Sequence, residues 1–433
     1  MTKHRTAYLN ARLLDPASDL DAPGDLLVED GVITRLGPDI FAGDGPPDGA
    51  DIVDCNGLCL APGLFDMRVQ VREPGHEHLE SIHSAGLAAA AGGVTSMVCL
   101  PNTDPVIDDV SVVEFIARRA REEKLVKLFC YAALTKGMKG TELTEMGLLN
   151  ETGVLGFTDA EKALSNPLVM RRALSYARTF GLLVIQHPEV VELTGDGVMT
   201  EGEIATRLGL AGAPAETEVI MVERDLRLVA LTGGRYHVAH VSTAETVNAI
   251  RRAKRDGLDV TCDTAPHYFA LNENAVGDYR TFAKVNPPLR RERDRQAIVD
   301  ALAEGVIDAI ASDHSPYDQD SKRLPFAQAA AGVVGLETLL PLTLELYHNR
   351  NMSLLDALRL VTINPARLLK QPTGRLAPGA SADLVLFDPD KPLRIDADAF
   401  HGKSKNSPFD GRPVQGKVRR TVVEGRTIFV DVA

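Results

Sequence analysis

Gly63-Leu64-Phe65-Asp66-Met67-Arg68-Val69-Gln70-Val71-Arg72-Glu73-Pro74-Gly75 reads as a short apolar strand, residues 64–71, stopped by a Glu-Pro-Gly turn. Asp66, Arg68, Gln70 and Arg72 occupy alternate positions, so regular pleating puts all four on one face. An acid, two guanidinium groups and an amide at one strand end are more than packing requires. The stretch is a candidate site, with a solvated strand edge as the plainer alternative.

The same unit recurs along the chain. Val94-Thr95-Ser96-Met97-Val98-Cys99-Leu100 is a buried strand, followed by a helical pattern from Val110 to Glu123. Further short apolar runs stand at 127–132, 153–157, 181–185, 236–241, 260–262 and 309–311, with helical segments between them. With the first strand they make about eight β units, and strands alternating with helices predict an α/β fold, a (β/α)8 TIM-type barrel over residues 57–368. The ends differ in texture. Residues 1–56 carry short alternating runs, a hairpin signal at Asp30-Gly31 and a Gly/Pro-rich loop over 43–49. Similar runs return at 382–388 and 420–430. Residues 1–56 and 369–433 are therefore expected to form one discontinuous β-sandwich domain beside the barrel.

Composition narrows the class. At 433 residues, with 44% hydrophobic and 25% charged side chains, the chain has a globular balance. A net charge of -13 argues against a nucleic-acid surface. No apolar run approaches the roughly 18 residues of a membrane span. The start, Met1-Thr2-Lys3-His4-Arg5, has no apolar core behind its charges and does not read as a signal peptide. Cys55, Cys59, Cys99, Cys130 and Cys262 form an odd, scattered set without a CxxC pair, so buried thiols in a reducing cytoplasm are expected. Neither a G-x-G-x-x-G nor a P-loop motif is present, and no nucleotide cofactor is expected.

In a barrel, reactive side chains collect where the strands end. Those positions hold Arg68, Gln70, Arg72, Asn102, Asp159, His187, His240 and Asp313. Two histidines and two aspartates from four strands suit zinc or a similar ion. Each has a blander reading. His187 suits a strand cap, and Asp159 after Thr158 suits a helix N-cap. Asp313, between an apolar run and a turn, suits a ligand or general base. His237 and His240 compete for one place, and spacing does not choose between them. His76 and His78 lie in a loop and read as a surface pair. His267 is placed to line a pocket, and Asn286 sits in a stiff Asn-Pro-Pro-Leu-Arg loop that suits substrate contact.

Taken together, Pro62-Gly63-Leu64-Phe65-Asp66, Arg72-Glu73-Pro74-Gly75, Pro101-Asn102-Thr103, His240-Val241-Ser242-Thr243, Asn286-Pro287-Pro288-Leu289-Arg290 and Asp313-His314-Ser315-Pro316 resemble the dihydroorotase family of the amidohydrolase superfamily. The resemblance runs over nearly the whole chain. It implies reversible interconversion of N-carbamoyl-L-aspartate and dihydroorotate in pyrimidine biosynthesis, with one or two zinc ions. It further implies Asp159, His187, His240 and Asp313 as metal ligands, Asp313 also as general base. Arg72 and Asn102 would hold the substrate carboxylate, and Asn286 would touch the ring.

Two departures qualify this. The family's first strand ends in His-x-His, and those positions here are Arg68 and Gln70. A guanidinium has no lone pair for zinc and stays charged. At about 4 Å from a divalent ion and an effective dielectric near 20, its repulsion is roughly 8 kcal/mol before discounting. Tyr317 stands where the family has a substrate-contacting histidine. Either one zinc sits at Asp159, His187 and His240, or no zinc binds and Arg68 pairs with Asp313 or Asp159 in place of the cation; the latter is preferred. The chain then resembles the family's metal-site-deficient members, structural partners of aspartate carbamoyltransferase, which implies an oligomer, impaired or absent hydrolysis, and zero or one zinc. The alternatives are an active single-zinc dihydroorotase and, less favoured, an amidohydrolase acting on another cyclic amide.

Overall fold

The computed structural model describes residues 4–43 and 45–431. Residues 1–3, at the charged start weighed against a signal peptide, lie outside them, as does Asp44 in the 43–49 loop.

The centre of the chain is a closed parallel barrel. Leu64–Val69 pairs with Val94–Cys99, and that strand with Lys127–Cys130. The fourth position is a pair of single bridges, Phe157 to Ala132 on one side and to Val184 on the other. Leu183–Gln186, Arg235–Val238, Val260–Thr264 and Ala309–Ile310 follow in order. A bridge between Val69 and His314 closes the ring. The run expected at 153–157 joins the wall from Leu155 on: the Leu155 amide bonds the Cys130 carbonyl at 3.0 Å and the Ala132 amide bonds the Gly156 carbonyl at 3.1 Å, while Gly153 ahead of it turns at φ +88°.

Two apolar layers hold the barrel. One cluster joins strand residues such as Val69, Val71, Cys99 and Val238 to helix residues such as Ile116, Ala173 and Leu302, so it lies between strands and helices. The other contains Phe65, Met67, Val98, Tyr131, Ile185 and Ala309 and fills the interior, with Leu368 and Leu369 packed against it. All five cysteines are free and buried.

The first strand departs from the alternation expected of it. Phe65 and Met67 face the interior, whereas Val69 and Val71 belong to the outer layer, so the parity switches between them. The cause is a register irregularity between Asp66 and Val69. A bulge of this kind inserts a residue and re-aims the side chains beyond it. Asp66 therefore does not share a face with Gln70. It turns to the last strand, where its Oδ1 accepts from the Ser312 amide at 3.1 Å and from the Arg68 amide at 3.2 Å.

Strands from both chain ends form a single eight-stranded sheet. Arg5–Asp15 pairs with Leu20–Glu29, which returns through Asp30-Gly31 to Val32–Gly37. Both turn residues have positive φ, +47° and +82°, as the two-residue hairpin turn requires. The C-terminal strands Leu384–Arg394, Pro413–Val423 and Arg426–Val430 join through Cys59–Pro62. That linking strand falls inside 57–368, the range assigned to the barrel, yet it belongs to the terminal sheet. The sheet curls until Val32 bridges Ser381, enclosing Tyr8, Leu13, Leu26, Ile33, Leu60 and Leu384. Among the described residues, no helix is long and apolar enough to cross a membrane.

Candidate active site at the barrel mouth

At the mouth the strands end in a cluster of charged and amide groups. The Arg68 guanidinium donates from Nε to Asp313 Oδ1 at 2.8 Å, and the two side chains are 4% and 12% exposed. Burial by itself would lower the Arg68 pKa. The surrounding carboxylates of Asp313, Asp263 and Glu161 outweigh it and raise that pKa, so the charge is fixed. Asp313 Oδ2 lies 3.8 Å from His267 Nε2. Burial pushes His267 down to about 4, leaving that ring neutral near pH 7. Asp313 and Arg72 both sit at positive φ, +52° and +59°, strained conformations held where strands give way to loops.

The histidine pair lies deeper. His187 Nδ1 and His240 Nε2 are 3.0 Å apart, and His187 Nε2 is 3.1 Å from Glu189 Oε2. Burial would raise the Glu189 carboxyl, but the His187 ring outweighs it and holds it at about 2. An ionised Glu189 accepts from His187 Nε2–H, and one proton bridges His187 Nδ1 and His240 Nε2. His240 Nδ1 is buried without a hydrogen-bond partner. Burial, then the charge of Arg68, push the His240 pKa well down. The Asn286 amide reaches Glu189 Oε2 at 3.4 Å. His237 takes the other place: its ring bonds Thr261 at 2.8 Å and Asp263 at 3.0 Å. The choice that spacing left open thus falls to His240 as the neighbour of His187.

Asp159 lies apart from this pair in its bonding. Its two oxygens accept from the Thr135 amide at 2.9 Å and the Thr135 hydroxyl at 2.5 Å. Burial raises its pKa against those bonds. Among the described residues, no group of three or more His, Cys, Asp or Glu side chains is placed to hold a metal ion. Two imidazole nitrogens converge, which falls short of the three protein ligands a catalytic zinc takes. The donor set does not fit zinc.

On the opposite side, Gln70 Nε2 donates to Glu161 Oε1 at 2.9 Å and to Ser315 Oγ at 2.8 Å. Asn102 Nδ2 donates to Gln70 Oε1 at 3.2 Å and Glu161 Oε2 at 3.4 Å. Arg72 lies over the Tyr317 ring, 4.7 Å from its centroid, with Nε and Nη2 buried and unpartnered. Glu161 and Glu189 were not singled out from the sequence. Each stands two residues beyond a site candidate, Asp159 and His187, and that spacing is the signal that marks them.

A Dihydro-orotase-like family model matches residues 57–246, and an Amidohydrolase family model matches 214–429. A dihydroorotase of Anaplasma phagocytophilum is 47% identical over 99% of this chain and 96% of its own length. One from a Geobacter species is 44% identical over 96% of this chain and 97% of its own. Among solved structures, the L-hydantoinase of Arthrobacter aurescens superposes with a TM-score of 0.86 at 24% identity, covering 100% of this chain and 98% of that one. The dihydropyrimidinase of Brevibacillus agri gives 0.85 at 22%, covering 98% and 95%. At those identities the structures speak for the amidohydrolase barrel fold alone.

Proposed function

This chain belongs to the dihydroorotase family, and we propose that it is a zinc-free, hydrolytically silent homologue that serves pyrimidine biosynthesis as a structural partner of aspartate carbamoyltransferase. The observation that carries the first half is the largely buried Arg68–Asp313 pair at 2.8 Å. Hydrolysis of a cyclic amide needs an activated water and a polarised carbonyl. Here the carboxylate read as general base is committed to a guanidinium. The cation beside it has no lone pair to give a metal ion. A divalent ion placed at the His187–His240 pair would meet the charge of Arg68 and lack a third ligand. Arg68 instead neutralises the Asp313 carboxylate.

The partner half draws support from the outer surface. Leu148, Phe180 and Leu231 are about half or more exposed. The helices Pro167–Phe180 and Glu216–Thr232 are tied at this end by the bond from Arg178 to the Thr232 carbonyl at 2.8 Å. Exposed apolar side chains near adjoining helix ends, Phe180 and Leu231, suit coverage by another protein.

Two measurements test the proposal. Purified protein is expected to carry far less than one zinc per chain and to leave dihydroorotate unhydrolysed; stoichiometric zinc with turnover would overturn it in favour of the single-zinc dihydroorotase. Mixed with the carbamoyltransferase at micromolar concentration, the chain is expected to elute as one large complex, and two separate peaks would remove the partner role.

A further inference from the structure

Glu161 takes no part in the metal-binding or hydrolytic roles weighed for the mouth. It is a half-buried carboxylate whose two oxygens are each taken by a side-chain amide, Oε1 by Gln70 at 2.9 Å and Oε2 by Asn102 at 3.4 Å. Its charge acts on Arg68 and on Tyr317, and the charge of Arg72 also acts on Tyr317. Two amides thus hold one internal carboxylate, whose charge also reaches Arg68, while Arg72 shares the Tyr317 ring as a neighbour with it. Yet Arg72 is only 7% exposed, and its Nε and Nη2 find no acceptor. A buried guanidinium with two free donors is costly unless an anion completes it.

We infer that Glu161 is a built-in occupant of a carboxylate site: it fills the amide half, leaves the buried Arg72 donors unfilled, and so holds down the affinity for an incoming small dicarboxylate. An external carboxylate reaching Asn102 and Gln70 must displace the Glu161 side chain or share its donors beside a like charge. A single carboxylate meeting Arg72 alone gains only part of the donor set. Glu161 is therefore a specificity-determining residue acting against ligand. The inference rests on the mouth being an anion site rather than a metal site, but its test is separate. Zinc content and turnover decide the proposed function; affinity for a metal-free probe decides this.

Succinate is that probe, titrated calorimetrically into the full chain and its variants. Glu161→Ala is expected to bind succinate at least about tenfold more tightly than the unsubstituted protein, about 1.4 kcal/mol. Glu161→Gln keeps the shape and removes the charge, so it is expected to gain severalfold even where Glu161→Ala folds poorly. Adding Arg72→Ala to either variant is expected to abolish the gain. The inference is overturned when folded Glu161→Gln and Glu161→Ala bind no more tightly than the unsubstituted chain. It is equally overturned when the gain survives Arg72→Ala, which would place the bound succinate elsewhere.

Discussion

At the scale of single residues, Arg68 bears most on stability and chemistry together. Its guanidinium is buried and the Asp313 carboxylate is only 12% exposed, so removing one leaves a poorly compensated charge. Breaking such a pair costs roughly 3–5 kcal/mol, while replacing both partners with neutral groups is often nearly free. Arg68→Met is therefore expected to lower unfolding free energy by that amount in urea titrations, and Arg68→Met with Asp313→Asn to recover most of it. Equal losses in the single and double variants would show that packing, not charge, dominates. Arg68 was legible because a charged residue at the end of an apolar strand has few innocent explanations. Glu161 and Glu189 were not, since a glutamate near a strand end reads as solvated surface until its partners are known. The bonding of Asp159 was equally hidden: Thr135 holds it from another loop, 24 residues earlier in sequence.

At the scale of elements, periodicity located the strands and missed how they connect. Apolar runs and the Asp30-Gly31 turn are local signals, and both appear where expected. The bulge between Asp66 and Val69 is not local, because it comes from pairing with Val94–Cys99. The step from terminal sheet to barrel is also a tertiary matter. Cys59–Pro62 pairs with Leu384–Arg394, and two residues later Leu64 starts the barrel. Gly63 makes that step possible: a Cβ there would lie 2.1 Å from Thr95 Cγ2 and 2.3 Å from Oγ1. No rotamer of a β-branched neighbour relieves an overlap that involves both its branches. Gly63→Ala is expected to cost about 1–3 kcal/mol through overpacking, with a lower melting temperature. Thr95→Ala in the same chain should return part of the loss, and independent, additive losses would place the strain elsewhere.

At the scale of the whole molecule, net charge and local burial pull stability in opposite directions as pH rises. The chain carries -13, so losing further protons above neutrality adds to self-repulsion. Lys322 opposes that trend. It is 1% exposed, its Nζ donates to the carbonyls of Ala330 at 2.8 Å and Lys284 at 3.4 Å, and it faces no carboxylate among its charged neighbours. Burial, aided by the charge of Lys284, lowers its pKa from 10.5 to about 7. In the unfolded chain the amine keeps its proton up to about 10.5; in the folded chain it loses it near 7. Between those values the unfolded state binds more protons, so this group makes stability rise with pH. Below about 7 both states are protonated and the full cost is present, on the order of a few kcal/mol. Lys322→Met removes the titration and keeps the apolar stem's volume. It is expected to be more stable than the unsubstituted chain at pH 7, with the difference shrinking toward pH 9.5. Comparing the two chains at each pH cancels the shared self-repulsion and isolates the buried amine. A pH-independent difference in denaturant midpoint would show that Lys322 stays charged in the fold, held by its carbonyl cage.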